Sequence, residues 1–120
     1  MLVKRLKDCR EFLTEDRTML REVLHQKNDR VDLRFSLAYG TLGVGHASMP
    51  HRLRTTEVYY ILKGRGVMHI NQESQEVREG CAVHIPPNSI QHIDSIGDEA
   101  LEFLCIVDPA WRLEDEEILT

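Results

Sequence analysis

His51 and Glu57 stand six residues apart in the stretch HRLRTTE. An imidazole and a carboxylate that converge make two legs of a divalent-metal site for Zn, Mn, Fe, Co or Ni. Two legs are not a site, and isolated His/Glu pairs are common. The ordinary reading is a hydrogen-bonded histidine beside a rim glutamate. If the chain stays extended here, residues of equal parity share a face, which puts His51, Leu53 and Glu57 together. Tyr59 and Ile61 continue that parity and are expected to line the same cavity. Gln91 and His92, beyond the pair Pro86-Pro87, are the candidates for a third donor. His84 alternates with Val83 and Ile85 and is expected on an outer face. His46 lies in a glycine-rich loop, and His25 is expected to close a strand before a turn.

These residues need strands to carry them. VDLRFSLAY sets Val31, Leu33, Phe35, Leu37 and Tyr39 against Asp32, Arg34, Ser36 and Ala38, a period of two. EVYYILK is rich in β-branched and aromatic residues and predicts a second strand. Gly64 and Gly66 flank a tight turn, from which VMHIN is expected to run back as a hairpin partner. CAVHI is stopped by Pro86-Pro87, since proline cannot donate to a strand ladder. IQHIDSI follows, and LEFLCIV, apolar on both faces, is expected to be central. The N-terminal quarter is ambiguous: Phe12, Leu13, Leu20, Val23 and Leu24 fit a helical face, yet LREVLH also fits an edge strand. The tail DPAWRLEDEEILT is expected on the surface, with Trp111 as an anchor. Short strands with frequent turn signals predict an all-β sandwich or small barrel.

The chain has 120 residues, 42% hydrophobic and 29% charged, which fits one globular domain with a core. Its net charge of −5, without a basic block, argues against nucleic acid or an anionic membrane as partner. No apolar run reaches membrane-spanning length, and MLVKRLKDCREFL lacks a signal-peptide core. Cys9, Cys81 and Cys105 are odd in number and far apart, so a disulfide framework is not expected and a cytoplasmic location is. The outward set Val58, Tyr60 and Leu62 needs covering, and a homodimer is the expectation.

From Gly45 to Gly64 the sequence resembles the first motif of the cupin superfamily, G-x5-H-x-H-x3-E-x6-G, with Gly45, His51, Glu57 and Gly64 in register. GCAVHIPPNSIQHIDS is similar to the second motif, G-x5-P-x-G-x2-H-x3-N, with Gly80 and Pro86 in register. The resemblance implies a small cupin of the cupin 2 type: a double-stranded β-helix, or jelly-roll barrel, with a short N-terminal extension. One cupin domain would occupy residues 1–120, with the motifs at about 45–64 and 80–95.

The departures fall on the ligands. Leu53 replaces the second histidine, Asn88 replaces the glycine, Gln91 takes the last-histidine position with His92 one residue later, and Ser95 replaces the asparagine. Asn88 tolerates a left-handed turn. Register favours Gln91 inward, whereas a one-residue bulge would turn His92 inward instead. The implied site is a divalent metal ion (Mn, Fe, Ni or Zn) on His51, Glu57 and Gln91 or His92, in a pocket for a small-molecule ligand or substrate. The implied function is a metal-dependent oxygenase or isomerase of a small polar metabolite. The alternative is a non-catalytic ligand-binding or structural cupin with a degenerate metal site, and enzyme and binding protein both stay open.

Overall fold

The computed structural model describes residues 1–119. Its strands are β1 (Glu11–Leu13), β2 (Met19–Leu24), β3 (Ser36–Leu42), β4 (His51–Leu53), β5 (Thr56–Lys63), β6 (Arg65–Ile70), β7 (Glu73–Arg78), β8 (Ala82–Ile85), β9 (Gln91–Ser95), β10 (Leu101–Asp108) and β11 (Glu116–Ile118). Among the described residues the helical pieces are two 3-10 turns, Leu6–Asp8 and Leu113–Asp115. One sheet runs β1-β2-β3-β10-β5-β8 and the other β11-β4-β9-β6-β7. The all-β jelly-roll architecture is as expected. No helix among the described residues is long and apolar enough to cross a membrane.

From β3 onward the chain crosses between the sheets at every step except β6 to β7, and this overturns one expectation. The turn at Gly64 does not close a hairpin, because β5 pairs with β10 and β8 while β6 pairs with β7 and β9. Gly64 instead carries the chain from one sheet to the other at φ +88°, and a Cβ there would meet the Ala100 carbonyl oxygen at 2.6 Å. Only glycine fits both the backbone angle and the space. The hairpin lies one step later, where Asn71 at φ 54° turns β6 into β7.

The strand read at VDLRFSLAY is shifted and its parity reversed. β3 begins at Ser36, and Ser36, Gly40 and Leu42 are buried while Phe35 is exposed. Small residues face inward here because Phe103 fills the space opposite: a Cβ on Gly40 would stand 2.8 Å from its ring. The larger Tyr39 turns outward and donates its hydroxyl proton to Glu102.

The ambiguous N-terminal quarter is strand, not helix. β1 and β2 form an antiparallel pair that β2 joins to β3. The tail also enters a sheet, with β11 pairing along β4. As expected, β10 is central, bonded to β3 on one side and β5 on the other.

Leu42, Ile61, Ile85, Ile93, Leu101 and Phe103 close the core between the sheets, each 2% exposed or less. Burying a side chain of this size stabilises by about 1.5–3 kcal/mol. Tyr59 packs on Phe103 at the edge of this cluster, with ring centroids 4.7 Å apart. Beyond that pair the interior is no longer filled.

Candidate functional site

The open end of the interior is a cavity of about 230 Å³. His51 and Glu57 both line it, although they reach it from opposite sheets. The chain does not stay extended between them: β4 ends at Leu53 and β5 starts at Thr56 in the other sheet. The two side chains therefore converge across the interior instead of along one strand. Leu53 and Tyr59 line the cavity too, whereas Ile61, fully buried, belongs to the core behind it.

β9 decides between the two candidates beyond the proline pair. Gln91, Ile93 and Ser95 are buried at 1%, 0% and 3%, so they face inward. His92 falls on the opposite face, which corrects its placement as a pocket ligand. The bulge that would have turned it inward does not form; β9 pairs with β6 without a slip from Gly66↔Ser95 to Ile70↔Gln91. Asn88, at φ 65°, adopts the left-handed turn that the family's glycine supplies, and its N–H donates to the Leu53 carbonyl at 2.7 Å. The register of β9 survives the substitution because asparagine tolerates this angle.

Gln91 does not line the cavity. It stands behind the wall, where its Nε2 donates to Glu57 Oε1 at 3.0 Å and its Oε1 accepts from the Tyr59 hydroxyl at 3.4 Å. Its contact is with the glutamate, which it orients.

Two site residues were invisible to motif reasoning. Asp16 comes from the turn joining β1 to β2, and its Oδ2 lies 3.3 Å from His51 Nε2. Its Oδ1 is occupied by the turn itself, accepting from the Thr14 hydroxyl and from the Thr18 N–H. Met49 sets both partners. Its N–H donates to the Asp16 carbonyl at 2.7 Å, and its carbonyl accepts from His51 Nδ1 at 2.7 Å. A carbonyl only accepts, so Nδ1 carries the proton and Nε2 is the atom that meets Asp16. The second newcomer is Glu116, at the start of β11. It lines the cavity and accepts from Trp111 Nε1 through Oε2 at 2.7 Å. Both arrive on segments at the two ends of the chain, outside either motif, and no spacing rule links them to His51.

The electrostatics of this end are one-sided. Glu15, Asp16, Glu22, Glu57 and Glu116 line the cavity, and no lysine or arginine does so among the described residues. Arg52 turns away to the outer face, where it pairs with Glu117 at 2.7 Å. Burial pushes the Glu57 carboxyl up to about 8; the Gln91 hydrogen bond opposes this, and the nearby Asp16 and Glu116 add to it. Glu116 is also raised, mainly by burial, against the Trp111 hydrogen bond. Burial, with Glu57 close by, holds the Tyr59 hydroxyl and the Cys105 thiol well above their ordinary values. Both therefore stay protonated.

Buried carboxylates facing one another beside a ring nitrogen that the Met49 carbonyl leaves free suit a divalent cation, whose charge relieves their repulsion. The 3.3 Å separation of His51 Nε2 from Asp16 Oδ2 is also what two ligands of one cation at about 2.1 Å would show. The set is one nitrogen with carboxylate oxygens, so it fits harder ions better than a closed thiolate or imidazole site would. It is an open set: His51, Asp16 and Glu57 do not close to within 4.8 Å of one another. Among the described residues the group that does so is His69, His92 and Asp94, on the outside of the sheet.

Two antiparallel sheets enclosing a cavity with a histidine and a glutamate at its open end define a jelly-roll barrel. Residues 38–107 match the family model described as Cupin domain, and the chain belongs to the cupin family. Members of this family typically bind a metal. The chain is 38% identical over 109 residues to an uncharacterised protein of Methanocaldococcus jannaschii, covering 90% of this chain and 86% of that one. It is 36% identical over 67 residues to dimethylsulfoniopropionate lyase DddW of Ruegeria pomeroyi, covering 56% of this chain and 43% of that enzyme. Among solved structures it resembles the nucleoside dehydratase Pac13 of Streptomyces, with a TM-score of 0.79 and 20% identity over 99% of this chain and 91% of that one. That likeness is one of fold.

Proposed function

We propose that the chain is an enzyme that carries out proton-transfer chemistry, of lyase or isomerase type, on a small molecule in this cavity. His51 and Asp16, already 3.3 Å apart, would hold one divalent cation, and Glu57, positioned by Gln91, would complete the set by drawing in toward it. The observation that carries the reading is the acidic lining without a cationic side chain around the His51–Asp16 pair.

When bound, the cation supplies Lewis acidity, polarising a substrate oxygen. The chain's own residues do the rest. Glu116, with Oε2 held by Trp111, has Oε1 available to exchange a proton with the substrate. Tyr59 stays protonated and serves as a hydrogen-bond donor. Leu53, Phe103 and Val107 form an apolar wall that excludes water from the reacting end. A lining this acidic repels a free anion, so substrates are neutral, or cationic, or anionic only through the metal. The lyase relative's named substrate is a zwitterion: its sulfonium centre has the charge this cavity suits, and its carboxylate is a group that only the metal would hold here.

Metal analysis of the purified protein tests the reading. We expect one equivalent of Mn, Fe, Ni or Zn that depends on the cavity, lost in both His51→Ala and Asp16→Asn whatever the chain binds elsewhere. A ligand panel scored by thermal shift should favour ammonium and sulfonium compounds over simple carboxylates. A metal-free protein whose melting temperature ignores added divalent ions would sink the cation. Preferential binding of anions would sink the substrate class.

A further inference from the structure

The inward face of β9 carries Gln91; its outward face carries a second constellation, which plays no part in the cavity. His92 stands directly across from His69 of β6, and their rings stack with centroids 4.1 Å apart and planes 8° from parallel. Asp94, two residues on and so on the same face, lies with Oδ2 at 2.8 Å from His69 Nε2 and Oδ1 at 3.8 Å from His92 Nε2. On the far side of β6, Ser74 of β7 is the cross-strand partner of His69, and its Oγ is 2.8 Å from His69 Nδ1.

We propose that His69, His92 and Asp94 form a metal site on the outer face of the β9–β6–β7 sheet, taking a divalent cation of borderline softness such as Zn²⁺, Co²⁺ or Ni²⁺. Their donor atoms all lie within 4.8 Å of one another. Two donors bonded to one cation at about 2.0–2.2 Å stand roughly 3.0–3.5 Å apart at tetrahedral or octahedral angles. The separations of 2.8 and 3.8 Å bracket that value; because each nitrogen lone pair lies in its ring plane, the stacked rings must also splay about their side-chain torsions for both to point at one cation. Two imidazoles and one carboxylate are a donor set chosen by borderline ions, not by Ca²⁺ or Mg²⁺.

The surroundings favour occupation. In the cation-free state His69 Nε2–H donates to Asp94 and Nδ1 accepts from Ser74. Metal binding at Nε2 moves the proton to Nδ1, and the Ser74 hydroxyl turns to accept it. Ser74 thus orients the ring in either state, as outer partners of metal-bound histidines do. The strand pairing fixes His69 opposite His92 before any ion arrives, so little ordering is left to oppose binding. The three side chains are roughly 30% exposed, at 28%, 29% and 36%, which leaves the remaining positions to water or to a ligand from another molecule.

Co²⁺ titration of the whole chain, followed by its visible d–d absorption, tests the site. We expect one equivalent, over and above any held in the cavity, that persists in His51→Gln, disappears in His92→Ala, and weakens by roughly tenfold in Ser74→Ala. Imidazole NMR of the wild type should shift the His69 and His92 signals on adding Zn²⁺, whether or not the variants fold. Co²⁺ binding equal in His92→Ala and wild type, or Zn²⁺ that leaves both signals in place, overturns the proposal. Because the cavity variant is a separate arm, failure here and failure of the proposed function are distinguishable.

Discussion

The sheet that contains β9 has a histidine-and-carboxylate cluster on each side, and the two clusters differ in almost every physical respect. On the inner side, Gln91 reaches Glu57, while His51 and Asp16 face the cavity, where burial raises the carboxyl of Glu57. On the outer side, His69, His92 and Asp94 lie in direct contact and partly in water. The inner groups are spaced for something to enter between them; the outer ones already touch. The lesson is that desolvation makes chemistry and proximity makes a clamp. A buried carboxylate surrounded by others is costly until a cation or proton relieves it, whereas an exposed one is tolerated without either.

The comparison can be broken most severely by changing which residues hold β9 in register. Ile93→Ala, on the buried face, should destabilise by about 2–5 kcal/mol in chemical denaturation. His92→Ala, its neighbour on the outer face, should cost about 0.5 kcal/mol or less in chelator. Equal costs for the two would contradict the assigned register.

The pH dependence sharpens the inner side. Glu57 ionises at about 8 in the fold against an ordinary value of 4.5, so the folded chain retains a proton that the unfolded chain releases between those values. Stability is therefore greatest below the lower value and falls as pH rises toward the higher, by an amount on the order of a few kcal/mol. In chelator, Glu57→Gln should flatten this slope and raise the melting temperature at pH 8. An unchanged slope in the variant would remove Glu57 as its source. Added divalent metal should recover stability on the alkaline side in the wild type.

A smaller effect is expected from restoring the imidazole that the family motif carries. Leu53→His places a donor on the cavity wall and should tighten the inner site for Zn²⁺ or Ni²⁺ by about tenfold or more in competition with a chelator. The outer site should be unaffected. At the turn before β9, Asn88→Ala should cost about 1–2 kcal/mol, since alanine resists the left-handed angle at φ 65°. If its metal and ligand behaviour also change, the turn helps to position β9 and is not merely a connector.

Local pattern was enough to establish the family and most of the strands. The glycines at 45, 64 and 80, the proline pair and the period-two runs each report a backbone constraint that one residue imposes on its neighbours. Asn88 could be read as a glycine substitute for the same reason. The inward direction of Gln91 followed from counting along the motif. What sequence could not decide were the features set by pairing between distant segments. Nothing local says that Thr56 opens a strand in the opposite sheet from His51, that Gly64 switches sheets instead of closing a hairpin, or that Gly40 faces inward to admit the Phe103 ring. Asp16 and Glu116 lie 35 and 65 residues from His51 and reach the cavity only because β1–β2 and β11 close onto the two sheets. Parity along a strand is a nearest-neighbour property, whereas membership of a cavity is set by long-range pairing, and only the folded chain contains it.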